Sequence, residues 1–242
     1  MVIINIGMPR SGTLWRYKLV RDLVIASGGK DGVQIRKKYF LNPFLSGLNA
    51  DINTLSIKRL LPAMIPSVLG ESYVLNTHAY PQSFTRGQLS QGRLAAVYGY
   101  RDPRDCILSI LEYSRRAKPQ YSTVFLKIKT VEQAVEFFQI YLQTYDQWLA
   151  APNTLVLKYE EMLDQFAPSV EKIVSHLKLD IPSVRLDEII TRYLPQQRSR
   201  EGEATHFEHG QAHRFRHEFN AKELAYLAEH LGPYLEKMGY PV

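Results

Sequence analysis

The chain has 242 residues, 45% of them hydrophobic, with a formal net charge of +6 and a single cysteine. That length and apolar content suit one domain with a full core. The lone Cys106 excludes an internal disulfide framework and fits a reducing compartment, no apolar run reaches transmembrane length, and the positive charge favours anionic partners without specifying one.

In chain order, the apolar residues 2–6 predict a buried strand, read as core and not as a secretion leader, and an amphipathic run from 12 to about 26 predicts the helix after it. Residues 72–78 and 94–101 are further β-rich runs. Residues 154–159 carry Val and Leu on both parities, as in a strand buried on both faces. Helices are expected over 103–116, 131–150 and 167–177. A last helix is expected from Asn220, in a capping box with Glu223, running towards Gly232 and Pro233. Residues 36–66 and 195–216 show no single period and read as loop with short helix, the kind of segment that covers a binding site. The alternation predicts a three-layer α/β fold with a mostly parallel central sheet flanked by helices, in one domain spanning 1–242.

Three short stretches carry chemistry. The first strand runs into GMPRSGTLW, residues 7–15. A glycine-containing turn between strand and helix aims several backbone N–H groups at one point, where the helix dipole also favours negative charge. Gly7 and Gly12 allow the tight path, Ser11 and Thr13 add hydroxyls, and Arg10 adds a cationic fork. The triphosphate-binding loop needs a Lys after its second Gly, and here Thr13 stands there, so a phosphate or sulfate of another kind is expected. The plainer alternative is an ordinary turn with a surface Arg. In the second stretch, residues 98–113, Asp102 can cap a helix that has Pro103 first and Asp105 third. Arg101 at the strand end and Ser109 two turns into that helix can then converge on a second phosphate, or the Arg can simply be ion-paired. The third, residues 74–81, ends a strand in Thr77 and His78 at the edge where α/β proteins bind ligands. An imidazole there can take a proton from a hydroxyl, or can be structural.

Together these stretches resemble the PAPS-dependent sulfotransferases, which move a sulfuryl group from 3'-phosphoadenosine 5'-phosphosulfate (PAPS) to a hydroxyl or amine. PRSGTLW (9–15) is similar to the family's 5'-phosphosulfate loop, and Arg101 with Ser109 to its 3'-phosphate motif. Thr77-His78 is similar to its catalytic His, LVLKYEEM (155–162) to its later strand end, and FEHGQAHRFRHEF (207–219) to its terminal loop. The resemblance implies a P-loop-like phosphosulfate-binding loop after the first strand and in-line displacement at sulfur. It implies that Arg10 contacts the 5'-phosphate and the leaving group, with Ser11, Gly12, Thr13 and Leu14 around it. Trp15 would stack on adenine and Tyr159 would contact the base. Arg101, Ser109, His209 and Gly210 would surround the 3'-phosphate, and His78 would be the general base. Adenosine 3',5'-bisphosphate (PAP) would be the product, with no metal, a small-molecule or carbohydrate acceptor, no nucleic-acid or membrane partner, and a cytoplasmic location.

The chain departs from the family pattern at three places. Arg10 stands where cytosolic members carry Lys, Asn76 where many have a Lys two residues before the His, and Glu208-His209-Gly210 where Arg-Lys-Gly is usual. Arg198, Arg200 or Arg214 is left to supply the missing charge. Residues 36–66 and 114–130, with Phe40, Phe44, Tyr113 and Tyr121, are expected to form the acceptor pocket. The alternatives are a P-loop kinase-like phosphotransferase, disfavoured by the missing Lys, and a non-catalytic nucleotide-binding protein, disfavoured by His78. His206, His209, His213 and His217 are spaced like metal ligands on a helix, which Gly210 interrupts.

Overall fold

The computed structural model describes residues 1–47, 49–116, 124–198 and 211–242. The elements run β1 (Val2–Gly7), α1 (Thr13–Ala26), α2 (Gly32–Lys38), α3 (Ile57–Val68), β2 (Tyr73–Thr77), α4 (Ser83–Ser90), β3 (Leu94–Tyr100) and α5 (Pro103–Arg116). They continue with α6 (Val131–Leu149), β4 (Thr154–Lys158), α7 (Tyr159–Asp164), α8 (Phe166–Leu177), α9 (Ser183–Tyr193), α10 (Pro195–Arg198), α11 (Phe215–Glu218) and α12 (Ala221–Lys237). The sheet has the order β2-β1-β3-β4, with every pair parallel.

Side-chain alternation along the strands divides the core into two layers. Val2, Ile4 and Ile6 of β1, with Leu94, Ala96 and Tyr98 of β3, pack against α5, α6 and α12. Ile3, Ala95 and Val97 point the other way, onto Leu19, Val20 and Leu23 of α1 and Val170 and Ile173 of α8. The chain therefore forms the expected three layers. Because β1 has β2 on one side and β3 on the other, the strand order reverses beside β1. A crevice opens there at the carboxyl ends of the strands, the general location of ligand sites in open α/β sheets.

Some elements differ from expectation. Strand β4 is only half-buried along most of its length, because it pairs with β3 alone and forms the sheet edge. Helix α12 does not stop at Gly232 and Pro233 but continues to Lys237: Leu231 and Leu235 are both fully buried, and their packing overrides the local breaker. The stretch 57–68 is a helix despite Pro62 and Pro66, and its Leu60, Ala63 and Met64 face the core. Helices α4 and α9 have no counterpart among the expected elements.

Candidate active site

The loop after β1 is a left-handed nest. Arg10 has φ 65° and Gly12 φ 73°, a conformation that costs Gly nothing and Arg something. The hydroxyls of Ser11 and Thr13 do not face outward: both donate to the Met8 carbonyl, at 2.7 and 3.1 Å, and so staple the loop. What the loop offers an anion is backbone. The N–H groups of Gly12, Thr13 and Leu14, at the start of α1, have no carbonyl partner among the described residues.

Two arginines meet at this loop, Arg10 from the loop itself and Arg101 from the end of β3. Arg10 itself extends across to α5, where its Nε donates to Ser109 Oγ at 2.9 Å and its guanidinium lies 5.2 Å from the Tyr113 ring centre. Arg101, at the end of β3, donates to the Arg10 carbonyl at 3.3 Å and to the Gln211 carbonyl at 2.8 Å. It also pairs with Asp105 at 3.3 Å and lies 4.5 Å over the Tyr159 ring. Its Nε is buried with no hydrogen-bond partner among the described residues. The Asp102 cap forms as expected: its Oδ1 accepts the Arg104 N–H at 2.9 Å.

The Tyr159 ring is packed against Gly12, where even a methyl group would meet it at 2.8 Å. Trp15 stands edge-on to Tyr159 with ring centres 6.2 Å apart, and is stacked on Phe166 at 5.4 Å; its Nε1 donates to the Tyr193 carbonyl. Arg101, Tyr159, Gly12 and Trp15 thus form one contiguous group. The terminal segment is held to α5 by Asp105, which accepts the N–H groups of His213 (2.7 Å) and Phe215 (3.1 Å). Arg214, one candidate for the missing charge, is held in two hydrogen bonds by Glu112, so it does not stand ready for a phosphate. Tyr121, Arg200, His206, Glu208, His209 and Gly210 lie outside the described residues, as does the side chain of Arg198. Among the described residues no three His, Cys, Asp or Glu side chains are grouped as a metal site.

His78 follows β2 directly. Its Nδ1 is 2.6 Å from the Gly7 carbonyl. A carbonyl only accepts, so Nδ1 carries the proton and Nε2 keeps a lone pair. The residue as a whole is exposed, while protein atoms crowd the ring nitrogens. That desolvation lowers its pKa, with a further lowering contribution from Arg16, and the Gly7 bond and Asp51 oppose the shift only in part. The imidazole is therefore neutral near pH 7. A cavity of about 470 Å³ adjoins it, lined by Asp51, Ile52, Thr54, Tyr80, Tyr141 and Thr144 among others. Of the two stretches expected to form the acceptor pocket, 36–66 contributes Ser46, Asp51, Ile52, Asn53 and Thr54 to this wall, and no described residue of 114–130 lines it. Phe40 is exposed, Phe44 packs on the core, Tyr113 meets Phe125 and Arg10, and the remaining wall comes from the segment from Asn76 to Gln82 and from α6.

A polar chain links the loop to this cavity. Arg16 Nε donates to Asn5 Oδ1 (3.0 Å), Asn5 Nδ2 donates to the Thr13 carbonyl (3.1 Å) and to Asn76 Oδ1 (2.8 Å), and Asn76 Nδ2 donates to Asp51 Oδ1 (2.8 Å). The sequence reading missed Arg16, Asn5 and Asp51. A signal for Arg16 existed: it lies at helical spacing with Val20 and Leu23, so it is a charge on an otherwise apolar face.

Fold and loop together define a P-loop-like α/β domain. Residues 2–239 match the sulfotransferase domain, and the chain belongs to that family. It is 25% identical over 194 residues to cytosolic sulfotransferase 12 of Arabidopsis thaliana, covering 73% of this chain and 55% of that protein. It is also 25% identical over 214 residues to the 3-beta-hydroxysteroid sulfotransferase of Cavia porcellus, covering 84% and 68%. The chain thus spans little more than half of the plant relative. Among solved structures, a mouse sulfotransferase complexed with PAP superposes with a TM-score of 0.63 at 15% identity, covering 97% of this chain and 84% of that one. Retinol dehydratase with androsterone and PAP gives 0.62 at 19%, covering 97% and 80%. These two show the shared fold.

Proposed function

We propose that this protein transfers a sulfuryl group from PAPS to a hydroxyl or amine of a small-molecule or carbohydrate acceptor, with His78 as general base. The observation that carries this reading is the meeting, at one switch point of the sheet, of the Gly12–Leu14 amides, the Arg10 and Arg101 guanidiniums and the neutral His78. The residues fit the donor. The N–H groups of Gly12, Thr13 and Leu14, without a carbonyl partner among the described residues, suit its 5'-phosphosulfate, and Arg101, whose Nε has no partner among those residues and which is linked through Arg10 to Ser109, suits its 3'-phosphate.

When bound, PAPS supplies the electrophilic sulfur. The acceptor oxygen forms the new bond to sulfur while its proton passes to Nε2 of His78. The bond from sulfur to the bridging phosphate oxygen breaks with its electron pair leaving on PAP, whose new charge Arg10 and the helix N-terminus stabilise. Burial and Arg16 keep His78 neutral and so ready to accept that proton. His78's carbonyl partner Gly7 belongs to the loop itself, so base and anion site share one rigid element.

Relatives named for hydroxysteroids make a steroid alcohol the first acceptor to try. The test is incubation with sulfur-labelled PAPS and a panel of steroid alcohols, phenols, amines and sugars. Labelled, chromatographically shifted product that disappears in His78→Ala supports the proposal. Binding of PAP with no transfer to any of the four acceptor classes would favour a non-catalytic nucleotide-binding protein.

A further inference from the structure

Arg16 is a charge in the wrong place for stability. It is 1% exposed, lies in the protein interior, and forms no ion pair with a carboxylate among the described residues. Its hydrogen bonds go to two neutral oxygens, Asn5 Oδ1 and the Ile6 carbonyl. Among the described residues the ionisable neighbour that favours its charge is Tyr98, a buried phenol whose own hydroxyl has no hydrogen-bond partner among them. A guanidinium held among neutral groups is costly, and a well-packed apolar side chain in its place would be neutral or stabilising. Burial pushes its pKa down to about 10, which still leaves it charged at neutral pH.

Its position explains where a counter-charge would come from. The guanidinium lies across the ends of β1 and β3, against Gly7 and Gly99, the first of which opens the loop. At Gly7 an added Cβ would touch both an Arg16 nitrogen and Thr13 Oγ1, so the cation sits immediately beneath the first turn of α1, whose amides face the loop. Through Asn5 it is also bonded, at one remove, to the Thr13 carbonyl of that turn.

We propose that Arg16 is a positioning residue whose electrostatic partner is the 5'-phosphosulfate of the donor: an internal cation that acts through the loop backbone without touching the ligand. This rests on the sulfotransferase reading above. The same charge faces His78, where it works against protonation. His78 is otherwise faced by Asp51, which favours protonation, by the Gly7 carbonyl, and by the Tyr141 ring of α6. One buried cation thereby serves both halves of the reaction, holding the leaving phosphate's charge and keeping the base unprotonated.

The test compares wild type with Arg16→Met and Arg16→Lys by thermal unfolding and by titration with PAP, 5'-AMP, 3'-AMP and adenosine. The proposal expects Arg16→Met to unfold at the same temperature or higher. It expects PAP and 5'-AMP each to bind at least tenfold more weakly, and 3'-AMP and adenosine to change less than threefold. Arg16→Lys should recover most of the loss. The acid limb of the pH profile should move to higher pH in Arg16→Met, since a cation facing His78 is gone. A merely structural Arg16 would lower the unfolding temperature and weaken all four ligands alike, and that outcome overturns the proposal; so does unchanged 5'-AMP affinity. Should Arg16→Met fail to fold, Arg16→Lys binding all four ligands many-fold more weakly would overturn it equally. If wild type itself does not bind PAP, it is the sulfotransferase reading that fails.

Discussion

Replacing Gly99 by Ala gives a sharp test of the buried Arg16 arrangement. The added Cβ would lie 1.7 Å from Arg16 Nη1 and 2.2 Å from Cζ, whereas ordinary contact is 3.4–4 Å. Neither side yields easily. Arg16 is fully enclosed and tied to Asn5 and Ile6, and Gly99 is registered between Gly7 of β1 and Leu157 of β4. Overpacking of a rigid core costs about 1–3 kcal/mol, and a clash of this depth belongs at the upper end, about 3 kcal/mol. For a domain of this size each kcal/mol moves the unfolding midpoint by about 2–4 °C, so a fall of about 6–12 °C is expected. The assay is thermal unfolding by circular dichroism of Gly99→Ala, Arg16→Ala and the double variant. Removing the guanidinium makes room for the methyl group, so Gly99→Ala should cost much less in the Arg16→Ala background, a coupling of about 2 kcal/mol. A Gly99→Ala protein within a degree of wild type, or equal losses in both backgrounds, would refute the placement of Arg16 beneath the strand ends.

Other expectations concern the site more directly. Arg10→Ala should lower the transfer rate by about 10²- to 10³-fold, read from steady-state kinetics with labelled donor, while Arg10→Lys keeps part of it; unchanged turnover removes Arg10 from the mechanism. His78→Ala should lower transfer by about 10²- to 10⁴-fold with PAP affinity nearly intact, and a collapse of nucleotide affinity would instead assign His78 a structural role. In wild type the acid limb of kcat/KM should fall below the free-imidazole value of 6.5, because the folded-state pKa is lowered. The same sign holds for folding: the unfolded chain binds the His78 proton first as pH drops below 6.5, so this residue's contribution reduces stability down to its lower folded pKa. A limb above 6.5 would contradict the desolvated environment. Asp102→Ala should cost about 2–4 kcal/mol in urea unfolding, because it removes the α5 cap and leaves the buried Arg104 without its carboxylate; a loss under about 0.5 kcal/mol would show the pair to be dispensable.

What the sequence revealed was chemistry that acts locally. The loop from Gly7 to Trp15, the Asp102–Pro103 helix start and the Asn220–Glu223 capping box each depend on residues a few positions apart, and each forms where the sequence places it. Properties set by distant partners were hidden. Nothing in residues 154–158 announces an edge strand, since exposure depends on whether a fifth strand follows beside β4. Helix α12 runs through Gly232 and Pro233 because Leu231 and Leu235 find a core made by other elements. Ser11 and Thr13 look like ligand donors in the sequence, but the Met8 carbonyl is nearer. Arg16 stands as a charge on an otherwise apolar helix face, but what it meets there is fixed only when β1 and β3 pack over it. The cavity beside His78 draws on α6, far along the chain from Asp51 to Thr54 on its other wall, and no local pattern marks Tyr141 or Thr144 as its wall.

We propose that the site takes a nucleotide with a 3'-phosphate and a 5'-phosphosulfate, and not a triphosphate. Calorimetric titration of PAP, 5'-AMP and ATP into wild type and Arg101→Ala tests it most directly. A charge-assisted hydrogen bond contributes about 1.5–3 kcal/mol, so wild type should bind PAP at least about tenfold more tightly than 5'-AMP. ATP should gain nothing from its extra phosphates, because Thr13 stands where a triphosphate loop has Lys. Arg101→Ala should erase most of the PAP preference and leave 5'-AMP nearly unchanged. Wild type that prefers ATP, or that binds PAP and 5'-AMP alike, would contradict the account and favour a phosphotransferase.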